Sequence, residues 1–249
     1  MHTIKDVRAA AAAVSGARHL RAARNGQDAA AAWTGAGAGV VVVCDGCGSG
    51  GSSEVGARLG VQLMLRAVTA RVLAGERVSD PALWAGARRV VTSVIDLVAD
   101  AMPGAREHVI HEHFLFTIVA AAFAHDEVGV WALGDGAYEL GERTVVLGPF
   151  ADNRPPYLAY DLLGVPQPAH HDVAPGSVGR VIVATDGVAE VGLDAIPVEA
   201  GLRHPDALRR RLWQLACGIE RIDWDAGRII RTPAVLQDDG AVAILEWTP

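Results

Sequence analysis

The chain has 249 residues, of which 51% are hydrophobic, a balance typical of a soluble globular protein with one core of ordinary size. It contains no uninterrupted apolar run near the ~18 residues that a membrane-spanning helix needs. The formal net charge of −7 and the scattered arginines exclude a surface built for nucleic acid or anionic lipid. Three cysteines, an odd number, exclude a disulfide framework.

The first residues, MHTIKDVRAAAAAVSG, contain charges and no continuous apolar segment, so we expect no signal peptide and a cytoplasmic location. Lys5 is the only lysine, whereas arginine, alanine, glycine and valine are abundant. This bias is typical of GC-rich coding and indicates a bacterial source.

Short segments rich in valine and isoleucine, bounded by glycine or aspartate, predict β-strands. They are residues 39–44, 115–124, 127–133, 179–185 and 240–247. The stretch AAAFAHDEVGVWALGDGAYEL predicts a meander of three antiparallel strands, joined by turns at His125-Asp126 and Gly134-Asp135-Gly136.

Three segments predict helices, at residues 53–76, about 81–102 and 205–220. The first is expected to begin after Ser52 or Ser53, and its expected buried stripe is Val55, Leu59, Leu63 and Ala67. The second begins at Asp80-Pro81, and its expected apolar face carries Val90, Val94 and Leu97. The third begins at Pro205 and Asp206.

Strands and helices occur in groups along the chain, which favours an α+β fold with antiparallel sheets over a doubly wound βαβ fold. No repeat and no long linker marks a boundary. We therefore expect a single domain over residues 1–249.

The junction VVVVCDGCGSGGSS, residues 40–53, permits three interpretations. A Cys44-Cys47 zinc or redox pair lacks the second ligand pair of a zinc site and a thioredoxin-like context. A phosphate-binding P-loop requires a lysine after its second glycine, and the chain has none there. The third interpretation is a strand that ends by presenting Asp45 to a metal ion.

Other aspartates favour the third interpretation, because the pattern of an apolar strand beside Asp-Gly recurs. The segments are VVVCDG, WALGDG, VIVATDG and QDDGAVAIL, which carry Asp45, Asp135, Asp186 and the pair Asp238 and Asp239. Carboxylates brought together repel one another unless cations neutralise them. Hard divalent ions with oxygen ligands are the economical explanation.

At these residues the chain resembles the metal-dependent protein phosphatases of the 2C type, and particularly their compact bacterial members. The resemblance covers about residues 16–248 in the family's order. Its segments are GARHLRAARNGQDAAAAW, VCDGCGSGGSSEVGARLG, FTIVAAAFAHDEVGVWALGDGAYEL, VIVATDGVAEV and DDGAVAILEW.

The resemblance implies a four-layer α/β/β/α sandwich of two antiparallel sheets flanked by helices. It implies a phosphatase that hydrolyses phosphoserine or phosphothreonine in proteins through a hydroxide bridging two Mn²⁺ or Mg²⁺ ions, with a third, weaker metal in bacterial members. The expected substrate is a phosphoprotein in bacterial signalling, where a monomeric enzyme opposes a Ser/Thr kinase. Residues 193–236 match a variable insert near the site.

Carried over by motif, the resemblance also implies roles for individual residues. Asp45 would bridge both metals, the Gly46 carbonyl would bind one, and Asp186 and Asp239 would bind the other. The second-shell residues would be Asp28 and Glu190, which hold metal-bound waters. Asp135 matches the position linked to the third metal.

Several positions depart from the family. Gln27 stands where many members have a metal-binding glutamate. Cys47 stands where members have histidine or methionine, so no residue of this chain is assigned as the general acid. The usual phosphate-binding arginine is replaced by Ala23, and either Arg21 or Arg24 could take its task. These departures leave an alternative open: a weak or inactive phosphatase-like domain that binds a phosphoprotein partner.

Overall fold

The computed structural model describes residues 6–248, and Asn153 and Pro205 are described without their side chains. Residues 1–5 and 249 lie outside the described part, so the interpretation of the first residues as lacking a signal peptide falls partly outside it. None of the helices within residues 6–248 is both long enough and apolar enough to cross a lipid bilayer.

Two five-stranded antiparallel sheets form the centre of the described structure. The first sheet has the order β1-β12-β9-β6-β7 and the second β2-β3-β4-β5-β8. The strands of the first sheet are β1 (Val7–Val14), β6 (Gly136–Leu140), β7 (Arg143–Leu147), β9 (Arg180–Ala184) and β12 (Gly240–Trp247). Those of the second are β2 (Ala29–Gly35), β3 (Ala38–Gly46), β4 (Phe116–Ala124), β5 (Glu127–Leu133) and β8 (His170–Pro175).

Helices cover both outer faces, which confirms the predicted four-layer sandwich. The helices are α1 (Ala17–Ala22), α2 (Glu54–Leu73), α3 (Pro81–Ala101), α4 (Arg106–His113), α5 (Asp186–Val191), α6 (Val198–Arg203) and α7 (Pro205–Ala216). Short 3₁₀ turns lie at Ala151–Asn153, Leu158–Leu163, Gly176–Val178 and Leu193–Ala195. A separate hairpin consists of β10 (Ile219–Asp223) and β11 (Arg228–Thr232).

The valine-rich strands are apolar on both faces because both faces are buried. In β3, Val41 and Val43 pack between the two sheets, while Val40 and Val42 pack towards α2 and α3. In β12 of the other sheet, Val242 and Ile244 pack towards the opposite helical layer, which contains α6 and α7. The strongest predicted strands are therefore the central ones.

The predicted meander is wrong at its third strand. β4 and β5 pair antiparallel as predicted, but β6 lies in the other sheet, where it pairs with β7 and β9. The connection from Gly134 to Gly136 carries the chain across the sandwich, and these glycines have φ values of 104° and 122°. Glycine adopts such positive φ values without steric cost, which permits the sharp change of direction between the two sheets.

The predicted buried stripe of α3 is also wrong, whereas that of α2 is wrong at Val55 but correct at Ala67, which is buried. Val55 is 41% exposed and Leu97 is 70% exposed, whereas the buried residues of α3 are Leu83, Trp84, Gly86, Ala87, Val91, Ile95 and Ala99. Both helices carry apolar residues on more than one face, so the sequence leaves the rotation of each helix ambiguous. The cap of α3 is confirmed, since Asp80 accepts a hydrogen bond of 2.8 Å from the Ala82 amide.

Residues 193–236, predicted as an insert near the site, divide into two parts in the structure. Helices α6 and α7 pack on the first sheet through buried residues such as Leu208 and Leu212, so they form one of the four layers. The hairpin of β10 and β11 projects outward, and Trp224 between its strands is 81% exposed.

Candidate metal centre

The strand ends gather the aspartates at one edge of the sandwich. Asp45 ends β3 and Asp28 precedes β2, and these antiparallel neighbours place both residues at the same end of the second sheet. Asp186 follows β9 and Asp239 precedes β12, which are antiparallel neighbours in the first sheet. The sandwich therefore brings Asp28, Asp45, Asp186 and Asp239 to one edge, and all four had been selected from the sequence.

Two glycines permit the close backbone contacts of this edge. A Cβ at Gly46 would lie 2.8 Å from the Gln27 carbonyl oxygen and 2.8 Å from the Ser53 hydroxyl. A Cβ at Gly187 would lie 2.1 Å from the Asp239 carbonyl oxygen. The glycine after each motif aspartate is thus required by packing against the neighbouring motif.

Asp28 is buried between the two sheets. Its Oδ2 atom accepts a hydrogen bond of 2.6 Å from the hydroxyl of Thr185. Burial raises the pKa of the Asp28 carboxyl well above its ordinary value, and hydrogen bonds from Thr185 and Asp45 only partly oppose this shift. A proton or a cation nearby would relieve the buried charge.

Asp45 and Asp186 are likewise carboxyl groups that lie beside other carboxylates and away from solvent. Burial raises the pKa of Asp45, and the charges of Asp28, Asp186 and Asp135 raise it further. Burial also raises the pKa of Asp186, with a contribution from Asp238, against a hydrogen bond from the Gly187 amide. Asp45 is hydrogen-bonded to both Asp28 and Asp186, and each of these hydrogen bonds requires a proton on one of its two carboxyl groups.

Asp135 lies beside this group at the crossing between the sheets. Burial and the charge of Asp186 raise its pKa to about 6. Its Oδ1 atom is buried without a hydrogen-bond partner, although Thr117 contributes a hydrogen bond to the carboxyl group. A buried carboxylate oxygen without a partner is costly, and a bound cation would satisfy it.

Asp239 has a different environment, because three N–H groups surround its carboxylate. The amide of Gly16 donates to Oδ1 at 2.8 Å, and the amide of Gln27 donates to Oδ2 at 2.6 Å. His19 Nδ1 lies 2.7 Å from the same Oδ2. These contacts fix the orientation of the carboxylate and leave it with one unused acceptor position.

A cleft of about 430 Å³ opens beside the carboxylates. Its walls include Asp45, Gly46, Asp135, Asp186, Asp238 and Asp239, together with Arg18, His19, Cys47 and Tyr157. A second cleft of about 310 Å³ adjoins it and shares Asp135 and Asp186. Glu190 lines this second cleft, one helical turn beyond Asp186.

The two predicted phosphate-binding arginines do not line the main cleft. Arg21 lies in a groove between α1 and the hairpin of β10 and β11, and Arg24 lines neither. Arg18 lines the cleft instead, 3.6 Å from Asp238. The sequence signal that could have identified Arg18 and His19 is their position at the start of α1, directly after Gly16, which contacts Asp239.

The two cysteines of the junction face different surroundings. Cys44 is buried in the core, whereas Cys47 lines the cleft, and both are free thiols. Burial would raise the pKa of Cys47, but hydrogen bonds with Ser49 and Tyr157 outweigh it, so the pKa is lowered overall. The arrangement is not that of a Cys-x-x-Cys disulfide.

A profile of the family described as protein phosphatase 2C matches residues 15–217, well over half of the chain. The chain belongs to the protein phosphatase 2C family. No curated protein sequence matches the chain. The family assignment therefore comes from the profile, and the fold described above agrees with it.

Solved structures of bacterial phosphatases share this fold. The catalytic domain of the serine threonine protein phosphatase PstP, in complex with two manganese ions, is 16% identical with a TM-score of 0.57, over 98% of this chain and 99% of that chain. Mycobacterium tuberculosis PstP/Ppp is 16% identical with a TM-score of 0.56, over 96% and 98%. Pseudomonas aeruginosa PppA, described as a key regulatory component of T6SS, is 17% identical with a TM-score of 0.57, over 98% and 99%. At these identities the likeness shows the fold alone.

The donor set of this protein phosphatase 2C domain fits divalent cations. Within residues 6–248, no three or more His, Cys, Asp or Glu side chains already converge as a formed metal site. Asp45 instead hydrogen-bonds to both Asp28 and Asp186, and Asp135 keeps an oxygen without a partner. Oxygen donors with raised pKa values are the set that a hard cation would neutralise, so the residues fit Mn²⁺ or Mg²⁺.

Proposed function

We propose that this protein is a metal-dependent phosphatase that hydrolyses phosphoserine or phosphothreonine in proteins. The observation that carries the proposal is the cleft in which Asp45, Asp135 and Asp186 meet, in a chain of the protein phosphatase 2C family. Two divalent ions, when bound, would supply charge neutralisation and an activated water. The manganese complex of PstP supports this choice of ions.

The ligand roles in this proposal follow the motifs. Asp45, the Gly46 carbonyl, Asp186 and Asp239 would hold the two ions, and Asp28 and Glu190 would hold the ordered waters around them. Asp28 is hydrogen-bonded to Asp45 within the carboxylate group, whereas Glu190 lies in the adjoining cleft with Asp135. The third, weaker ion would therefore lie towards Asp135 and Glu190.

The protein itself supplies the positive charge for a phosphoryl group through Arg18. This arginine lines the cleft and is held loosely, 3.6 Å from Asp238, with its side chain 68% exposed. A phosphate dianion would compete for the guanidinium by forming two parallel hydrogen bonds. The proposed substrates are phosphoproteins made by Ser/Thr kinases in a regulatory circuit, in keeping with the regulatory description of PppA.

The test is release of phosphate from a phosphopeptide and from p-nitrophenyl phosphate with Mn²⁺, Mg²⁺ or chelator. We expect turnover that requires the metal and is lost in Asp45→Asn, while Asp206→Asn, on the exposed start of α7, retains it. If the protein binds a phosphopeptide without releasing phosphate under any of these metals, the inactive phosphoprotein-binding domain is the correct function.

A further inference from the structure

The side chain of Gln27 is buried and turned towards the loop between β3 and α2. Its Nε2 atom donates to the Ser53 hydroxyl at 2.6 Å and to the Gly50 carbonyl at 3.2 Å, and it lies 3.4 Å from the Cys47 carbonyl. The Ser53 hydroxyl in turn donates a hydrogen bond of 2.9 Å to the Cys47 carbonyl oxygen. One carboxamide therefore ties together both ends of the segment 47–53.

The backbone of Gln27 touches the carboxylates at the same time. Its backbone amide donates a hydrogen bond of 2.6 Å to Asp239 Oδ2. Its carbonyl oxygen lies close to Gly46, because a Cβ added at Gly46 would be only 2.8 Å from it. The residue thus contacts two motif positions and the loop that follows Asp45. A change in its side chain would move the cleft wall made by Cys47, Gly48 and Ser49.

The partners of Nε2 show why an amide stands here. Two of them are carbonyl oxygens, which only accept hydrogen bonds, and the hydroxyl of Ser53 uses its one donor in a hydrogen bond to the Cys47 carbonyl. An ionised glutamate in the same place would face two carbonyl acceptors, and the Ser53 hydroxyl could donate to it only by giving up its hydrogen bond to Cys47. Buried charge without sufficient partners is costly.

We propose that Gln27 is a positioning residue that holds the loop 47–53 against the carboxylates, and that this site is built to bind its cations without a carboxylate at position 27. The proposal rests on the proposed phosphatase function. It reverses the expectation from the family pattern, in which glutamine is a weakened ligand. Here glutamate at position 27 would weaken the site.

The experiment compares Gln27→Glu and Gln27→Met with Gln62→Glu, which adds the same charge at an exposed position of α2. Calorimetric titration with Mn²⁺ alone measures metal affinity, and hydrogen exchange of metal-free protein measures opening of the amides of residues 47–53. We expect both Gln27 variants to bind Mn²⁺ about tenfold more weakly than wild type. We also expect the amides of residues 47–53 to exchange faster than in wild type, with no comparable change elsewhere in the protein. Gln62→Glu is expected to match the wild type.

Ser53→Ala provides a second variant in case Gln27→Met does not fold. It leaves Gln27 in place but removes the hydroxyl between Nε2 and Cys47, so we expect faster exchange in the same loop. Tighter Mn²⁺ binding by Gln27→Glu, or unchanged loop exchange in Gln27→Met and Ser53→Ala, would overturn the proposal. If wild type binds no Mn²⁺, the proposed function fails, and the exchange data alone decide whether Gln27 holds the loop.

Discussion

The hydroxyl of Thr185 and the carboxyl of Asp28 join the two sheets at the candidate site. Thr185 follows β9 of the first sheet and Asp28 precedes β2 of the second, and their hydrogen bond measures 2.6 Å. The same hydroxyl accepts a hydrogen bond of 2.9 Å from the Ala241 amide. One threonine therefore satisfies a buried carboxyl and a buried backbone donor.

Replacement of this threonine should destabilise the protein. Thr185→Val keeps the shape but leaves Asp28 and the Ala241 amide without their partner, so we expect a loss of about 1–3 kcal/mol in unfolding free energy. Urea denaturation with and without chelator measures the change. Thr185→Ser keeps the hydroxyl and should lie within about 0.5 kcal/mol of wild type; equal losses in both variants would contradict the role of the hydrogen bond.

Removal of the central carboxylate should stabilise the metal-free protein. Burial and three neighbouring carboxylates raise the pKa of Asp45, so its ionised form destabilises the fold at neutral pH. We expect metal-free Asp45→Asn to be about 1–3 kcal/mol more stable than wild type, while the stabilisation by Mn²⁺ is lost. Thermal unfolding with chelator and with Mn²⁺ tests both parts, and a destabilised metal-free variant would show that Asp45 is not under electrostatic strain.

The sequence predicted much of this fold because the central strands have an unambiguous pattern. β3, β9 and β12 are apolar strands that contain valine or isoleucine, and each ends or begins beside Asp-Gly. The alanine-rich strands β1 and β2 were not predicted, because alanine favours helices when considered alone. Their identity as strands depends on packing across the sandwich, where small side chains from both sheets meet.

The gathering of the carboxylates at one edge of the sandwich could be predicted from the sequence, but the arginine that lines the cleft could not. The motif glycines and aspartates are local signals, since each follows from one strand end and one tight backbone contact. Arg18 lines the cleft, whereas Arg21 and Arg24 do not, because of the direction of α1 relative to the cleft, which spacing along the chain does not determine. The direction of the Gln27 amide likewise depends on the loop 47–53, which lies far from it in sequence.

Gly187 should tolerate no side chain. A methyl group there would meet the Asp239 carbonyl oxygen, so Gly187→Ala would push α5, and with it Asp186, away from β12. We expect a loss of about 1–3 kcal/mol in stability and weaker Mn²⁺ binding. Gly48→Ala is the matched control in the same cleft, because the nearest atom to its Cβ would be Gln27 Oε1 at 4.0 Å. Equal effects of the two variants on Mn²⁺ affinity would contradict this account.

Glu127 should stabilise the fold in a pH-dependent manner. Burial would raise the pKa of its carboxyl, but hydrogen bonds from the Ser79 amide and hydroxyl and from Arg77 outweigh this, so the pKa is lowered. A lowered pKa in the folded state gives stability that is present above the ordinary glutamate pKa of about 4.3 and is lost as the pH falls through the folded value.

We therefore expect Glu127→Gln to cost about 1 kcal/mol at neutral pH, with a difference from wild type that shrinks below about pH 4. Urea denaturation across this range measures it. Glu142→Gln, at the exposed turn between β6 and β7, should show no such pH-dependent difference. A constant gap between Glu127→Gln and wild type down to acid pH would assign the effect to packing.

Arg18 should govern substrate binding more than turnover. It lines the cleft and its only described ion pair, to Asp238, is long and exposed, so the guanidinium is available to a phosphoryl group. We expect Arg18→Gln to raise KM for a phosphopeptide about tenfold or more, because charge-assisted bidentate hydrogen bonds to phosphate are lost. Mn²⁺ affinity should stay close to that of wild type. Steady-state kinetics with Arg24→Gln as control distinguish the two arginines, and a rise in KM for Arg24→Gln alone would return the phosphate-binding role to that residue.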